Sequence, residues 1–112
     1  MVRVIETPAP HITLEAVVRR EVQLYAGTSD TDKLYALLDD TNKTYAVVII
    51  PGNADDRPAW VIVMAQIIDD KVVVIEDITD QPLVEALMVN GGVPREKIIL
   101  AYKGEQIPAQ EL

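Results

Sequence analysis

The spacing of apolar residues changes twice along the chain, from a helical period to strand-like runs and back. Leu14, Val17, Val18, Val22 and Tyr25 fall on one helical face, while Glu15, Arg19 and Gln23 lie off it. Thr13 is a candidate N-cap, Glu15 suits the positive end of the helix dipole, and Gly27 is a stop signal. The spacing predicts a helix over 14–26. Strands are predicted over 33–38, 44–50, 60–68 and 71–76, with turns at 39–43 and at Asp69-Asp70, the latter closing a hairpin. An antiparallel strand with one wet face alternates apolar and polar residues. Here Val61 and Ile62 are both apolar, as are Val73 and Val74, although neighbours in a strand point to opposite faces. Both faces of the sheet therefore need cover: one by helices, the other by something else, such as a second subunit. In the last third Asp80 is the expected N-cap, with Pro82 in the first helical turn and Leu83, Val84, Leu87 and Met88 as the buried stripe. Gly91 or Gly92 supplies a left-handed C-cap, Pro94 prevents continuation, and 97–102 reads as a final strand. A Pro-containing leader (1–13, with a short strand at 2–6) and a polar, fraying tail (104–112) flank these elements. The expected architecture is one α+β domain over 1–112: an antiparallel sheet of four to five strands with an N-terminal and a C-terminal helix packed on it.

Composition sharpens this picture. Fifteen valines and twelve isoleucines stand against nine leucines and no phenylalanine, which favours a sheet over a helical bundle. The 112 residues are enough for one core. The longest apolar run, from Ala59 to Ala65, is far below the roughly 20 residues of a membrane helix, so no membrane role is expected. The N-terminal residues do not read as a signal peptide, because charge and proline break the apolar stretch at once. The absence of cysteine removes thiolate chemistry and disulfides and fits a cytoplasmic location. Ten basic and eighteen acidic residues leave a net charge of −8, shared evenly between the two halves. Nucleic-acid binding draws on Lys and Arg against phosphate, so direct binding of DNA or RNA is not expected. A basic protein partner fits the charge better.

Candidate chemistry is sparse. His11 in the leader has no evident partner, and Ser29 lies in a polar loop without a strand–turn–helix elbow. Gly91-Gly92-Val93-Pro94 follows a helix instead of opening one, the wrong polarity for a phosphate cradle. Asp69-Asp70-Lys71 contains the Asp-x-Lys fragment of one metal-dependent nuclease superfamily, but at a hairpin tip it reads as a charged turn. Glu76, Asp77 and Asp80 cluster where a strand passes into a helix. They are either capping groups or, in an alternative reading, the oxygen ligands of a small metal-dependent enzyme. The capping reading is preferred, so no metal and no cofactor are expected. Trp60, the single tryptophan, opens the most apolar strand and is either core or an interface anchor.

In order, these segments resemble the XisI family, the fdxN element excision controlling factors, from about Leu14 to Tyr102. The resemblance is carried by Leu24-Tyr25-Ala26 at the end of the first helix, by Tyr35 and Tyr45, and by Ile67-Ile68-Asp69-Asp70-Lys71-Val72. It continues through Asp77-Ile78-Thr79-Asp80, Leu83-Val84-Glu85-Ala86-Leu87 and Gly92-Val93-Pro94-Arg95-Glu96-Lys97-Ile98-Ile99-Leu100-Ala101. The chain departs from the pattern at Val73 and Val74, where an aromatic residue is common, and near Arg57 and Pro58, where an Arg-rich approach is common. The resemblance implies a non-enzymatic accessory role in programmed DNA excision in cyanobacteria beside a nuclease-like, XisH-like partner. No catalytic residues are carried over from the family. The residues expected to meet a partner are Trp60, Glu76, Asp77 and Asp80. Beyond the partner, a homodimer or larger assembly is expected, and a purely structural homo-oligomer is the remaining alternative.

Overall fold

A computed structural model describes residues 12–28, 32–52 and 58–108. The expected strand at 2–6, His11, Ser29 and Arg57 lie outside the described residues. The chain forms α1 (Leu14–Gln23), β1 (Gly27–Thr28), β2 (Lys33–Asp39), β3 (Thr44–Ile50), β4 (Trp60–Ile68), β5 (Lys71–Asp77), α2 (Leu83–Val89) and β6 (Ile98–Leu100), with single 3-10 turns at Arg95–Lys97 and Ala101–Lys103. The strands lie side by side in chain order in one six-stranded sheet. Neighbours are antiparallel from β1 to β5, whereas β6 runs parallel to β5. The sheet is thus six-stranded and mixed, not four- or five-stranded and antiparallel. β1, with two residues, is too short to leave a periodic signature, and β6, which falls within the expected strand at 97–102, differs in running parallel to its neighbour. Their pairing depends on neighbours distant in sequence.

Thr13 caps α1 as expected, its hydroxyl accepting the Ala16 N–H at 3.1 Å. The helix ends at Gln23, earlier than its spacing predicts. Tyr25 N–H donates to Val22 O and Ala26 N–H to Gln23 O, a tightened last turn from which Gly27 enters β1. α2 stops in a left-handed Gly92 (φ 67°), with Gly92 N–H on Met88 O and Val93 N–H on Leu87 O. Its start differs from expectation. Pro82 occupies the cap position, and the N–H of Leu83 is taken by Asp77, six residues upstream, at 2.7 Å. Asp80 is exposed and does not cap the helix. The final strand is shorter than expected because 3-10 turns flank it on both sides. The tail is anchored at its start, since Glu105 accepts the Leu100 N–H at 2.8 Å and pairs with Arg95 at 2.9 Å.

Both helices pack on one face of the sheet. Val17, Val18 and Val22 from α1 and Leu83 and Leu87 from α2 form a single core with Tyr45, Val47, Val63, Ala65, Ile67, Val72 and Val74. The register places the alternate residues on the other face: Tyr35, Val48 and Val61 form one row, and Leu37, Ala46, Met64 and Glu76 the next. β4 alternates between buried and half-buried positions from Ile62 to Ile68, apolar on both sides except at Gln66, whose side chain donates to the Thr44 hydroxyl at 3.0 Å. Two bulges add to the unbroken apolar look of the strands, because Ile62 and Ile75 are extra residues at the register shifts.

Candidate interaction surface at one end of the sheet

β3 ends, β4 begins and β5 ends at the same edge of the molecule. Trp60 stands opposite Ile49, and Asp77 opposite Val63. Pairing continues one step past β5, where Ile78 N–H donates to Ile62 O at 2.9 Å. The next residues must turn into α2, and Asp77 holds that turn. One carboxylate oxygen accepts the N–H of Thr79 at 2.9 Å and its hydroxyl at 2.6 Å, while the other accepts the Leu83 N–H. Asp77 is 9% exposed, so it is spent on the connection and has little surface left for a ligand. The turn pushes outward what it does not bury: Ile78 is 57% exposed, and Asp80 is exposed beside it. Tyr25 reaches over from the end of α1 and donates its hydroxyl to Gln81 O.

Of the residues expected to meet a partner, Trp60, Asp77 and Asp80 are therefore brought to one end of the sheet. Glu76 reaches the same end on the opposite face, across from Met64, with one carboxylate oxygen accepting the Asp77 N–H at 3.0 Å. Trp60 is half-buried on the helix-bearing face. Ile78 and Tyr25 belong to the surface although the sequence did not mark them as functional. Ile78 lies within the Asp77-Ile78-Thr79-Asp80 run, and Tyr25 reads from its spacing as core.

The electrostatics of this end are negative. Burial raises the phenol pKa of Tyr102 above its usual value, and the charges of Asp77, Glu105 and Glu76 add to the effect. Tyr25 is raised in the same way, first by burial and then by Asp77. Among the described residues, no three of His, Asp or Glu converge as a metal-binding group. Asp69 and Asp70 lie at the far end, in a hairpin turn where both adopt positive φ (50° and 64°), and Asp70 pairs with Lys97 at 3.0 Å. The other buried carboxylate, Glu21, is held by Arg20 at 3.0 Å and by the Asn90 side chain at 3.2 Å, and it ties α1 to α2. These arrangements offer recognition by shape, apolar contact and negative charge.

A six-stranded sheet with two helices on one face and an acidic, partly apolar end defines a small α+β domain whose distinctive chemistry lies on its surface. The family model described as XisI protein matches residues 11–109, and the chain belongs to the XisI family. The fold is shared with a XisI-like protein from Anabaena variabilis, at TM-score 0.67 and 24% identity over 77% of this chain and 81% of that one. It is also shared with the fdxN element excision controlling factor XisI from the same organism, at TM-score 0.57 and 23% identity over 77% of this chain and 82% of that one. No curated protein is similar to the chain at a significant level.

Proposed function

We propose that this chain is a non-catalytic controlling factor in DNA element excision that acts by binding a nuclease-like, XisH-like protein. The observation that carries this reading is the family match across residues 11–109, a family that includes a solved fdxN element excision controlling factor. Charge supports the choice of partner. A DNA-cutting protein must present positive charge where it meets phosphate, and this chain carries −8. The acidic end of the sheet then steers the encounter. Trp60 and Ile78 supply the apolar contact that resists dissociation, Asp80 supplies charge on the same side, and Asp77 positions the turn that presents them.

The test is co-expression with a XisH-like protein, followed by size-exclusion chromatography and binding kinetics. A stable complex is expected, with an association rate that falls as salt rises, because screening acts over about 10 Å at 0.1 M ionic strength. Asp80→Lys should slow association, and Trp60→Ala should mainly speed dissociation with the circular dichroism spectrum unchanged. Failure of the two proteins to co-elute would overturn the reading. A complex with salt-independent kinetics would overturn the charge mechanism.

A further inference from the structure

The face of the sheet turned away from α1 and α2 is apolar where an isolated domain would be polar. Tyr35, Leu37 and Ile50 on it are 43%, 56% and 40% exposed. Behind them, Ala46 and Val73 form a floor at 6% and 0% exposure, and neither belongs to the core under the helices. Charges sit at the corners. Register places Lys33 and Asp39 at the two ends of β2 on this face, and Lys71 and Glu76 at the two ends of β5. β2 and β5 run in opposite directions, since each successive pair between them is antiparallel. Lys33 and Glu76 therefore share one end of the sheet, and Asp39 and Lys71 share the other. Around the perimeter the signs alternate: plus, minus, plus, minus.

That pattern is self-complementary. We propose that a second copy of this chain covers the helix-free face, giving a two-fold symmetric dimer in which the two sheets stack with their strands nearly aligned. In such a stack the two-fold axis lies between the sheets, along the strands or across them. Along the strands, Lys33 faces Glu76 of the other copy and Asp39 faces Lys71. Across the strands, Lys33 faces Asp39 and Lys71 faces Glu76. Opposite charges meet in both cases. An orthogonal stack places the axis on the diagonal and sets like charge on like, so the corners select the aligned packing over the orthogonal one. The size lies near the lower limit for a stable dimer, with most of the open apolar surface on β2 and β3, since Ala46 and Val73 are already covered. Strands spaced about 4.8 Å apart and rising about 3.3 Å per residue give the central four strands a projected area of about 440 Å². Two such faces, with side-chain relief added, approach the roughly 1,200 Å² at which stable interfaces begin.

Sedimentation of the isolated chain across the micromolar range tests this without any partner protein, so its failure is separate from failure of the excision reading. A concentration-dependent dimer is expected. Leu37→Glu places a charge in the middle of the face at an exposed position and should weaken the dimer at least about tenfold while the spectrum and cooperative unfolding persist. Lys33→Glu and Lys71→Glu should each weaken it. Adding Glu76→Lys should restore dimerisation to the first if the axis runs along the strands, and to the second if it runs across them. Oxidative footprinting gives a readout that needs no variant, since Met64 should become protected as concentration rises. A wild-type chain that stays monomeric, a dimer indifferent to Leu37→Glu, or protection of Met64 without dimerisation would each overturn the proposal.

Discussion

Asp77 stood out in the sequence as one of three acids near a helix start, with capping and metal binding both open to it. The structure gives it one use: its two oxygens satisfy the N–H and hydroxyl of Thr79 and the N–H of Leu83. Removing that carboxylate leaves the buried Leu83 N–H and the half-buried Thr79 N–H unpaired, while the Thr79 hydroxyl can still reach Gln81 O, and hydrogen bonds to a charged group are each worth about 1.5–3 kcal/mol. Asp77→Ala should therefore lower unfolding stability by about 2–4 kcal/mol, whereas exposed Asp80→Ala should stay within about 0.5 kcal/mol. Urea denaturation of the two variants checks the assignment, and equal effects would refute it. Asp80 is the expected cap because capping is ordinarily local. A carboxylate reaching its helix from six residues upstream depends on the way β5 turns, which no local pattern records. Tyr45 gives a second test at this scale. It is fully buried, and burial together with its hydrogen bond to Asp40 raises its phenol to about 12 from the ordinary 10.0. The folded state thus holds this proton more firmly than the unfolded one. The associated stability is complete below pH 10.0 and is lost as pH rises through about 12. Tyr45→Phe should flatten the alkaline limb of the melting temperature against pH. An unchanged limb would place the alkaline sensitivity elsewhere.

The two helices meet where α2 ends, and Gly91 is the residue that lets them approach. A Cβ added there would lie 2.6 Å from the Val17 side chain and 2.7 Å from the Leu87 carbonyl oxygen. Gly91→Ala must push α1 and α2 apart and should cost about 1–3 kcal/mol, the usual range for overpacking. Gly92→Ala meets open space but must hold φ at 67°, which costs about 1–2 kcal/mol. Gly27→Ala, at ordinary φ with nothing nearby, should be close to neutral. Thermal melts of the three should fall in that order, and a destabilised Gly27→Ala would show that strand β1 carries more weight than its two residues suggest. Elements that keep one period over several turns or pairs were legible: α1 with its Thr13 cap, the β4–β5 hairpin with Asp69 and Asp70 at its tip, and Leu83 and Leu87 in the α2 stripe, although Met88, expected in the same stripe, is 41% exposed. What escaped was the part decided by long-range pairing. β1 exists because β2 offers it an edge, whereas β6 is expected within 97–102 and only its direction escaped. The parallel sense of β6 follows from α2 returning the chain before it pairs. The bulges at Ile62 and Ile75 each insert one residue, so the side chains beyond them along β4 and β5 change face relative to a regular strand.

Across the whole molecule, hydrophobicity and charge are distributed for different purposes. β4 alternates in burial from Ile62 to Ile68 while, Gln66 apart, its chemistry stays apolar, and this mismatch is how a sheet with apolar residues on both sides appears in a sequence. The acidity of the chain follows a different logic, because it is shared evenly along the sequence and no basic stretch interrupts it. For a member of a family that includes a DNA excision controlling factor, that charge argues against direct binding of DNA. Non-specific duplex binding at physiological salt, with Kd of about 10⁻⁴–10⁻⁶ M, comes almost wholly from cationic side chains neutralising phosphates. The isolated chain should leave duplex DNA unshifted in a mobility assay at micromolar protein and physiological salt, and lowering the salt should not rescue binding. Direct binding that weakens steeply with salt would require a cationic surface assembled by the fold, and it would move the chain from controlling a DNA-acting partner to contacting the element. If the prediction holds, control must pass through protein contact. The same mobility assay repeated with the XisH-like protein present then has a definite expectation. An acidic module docked on or beside that partner's phosphate-binding surface should change the partner's apparent DNA affinity, with a salt dependence set by how many of its cations remain free. An affinity identical with and without this chain, under conditions where the two proteins co-elute, would place the docking away from the DNA-binding surface and assign control to a later step.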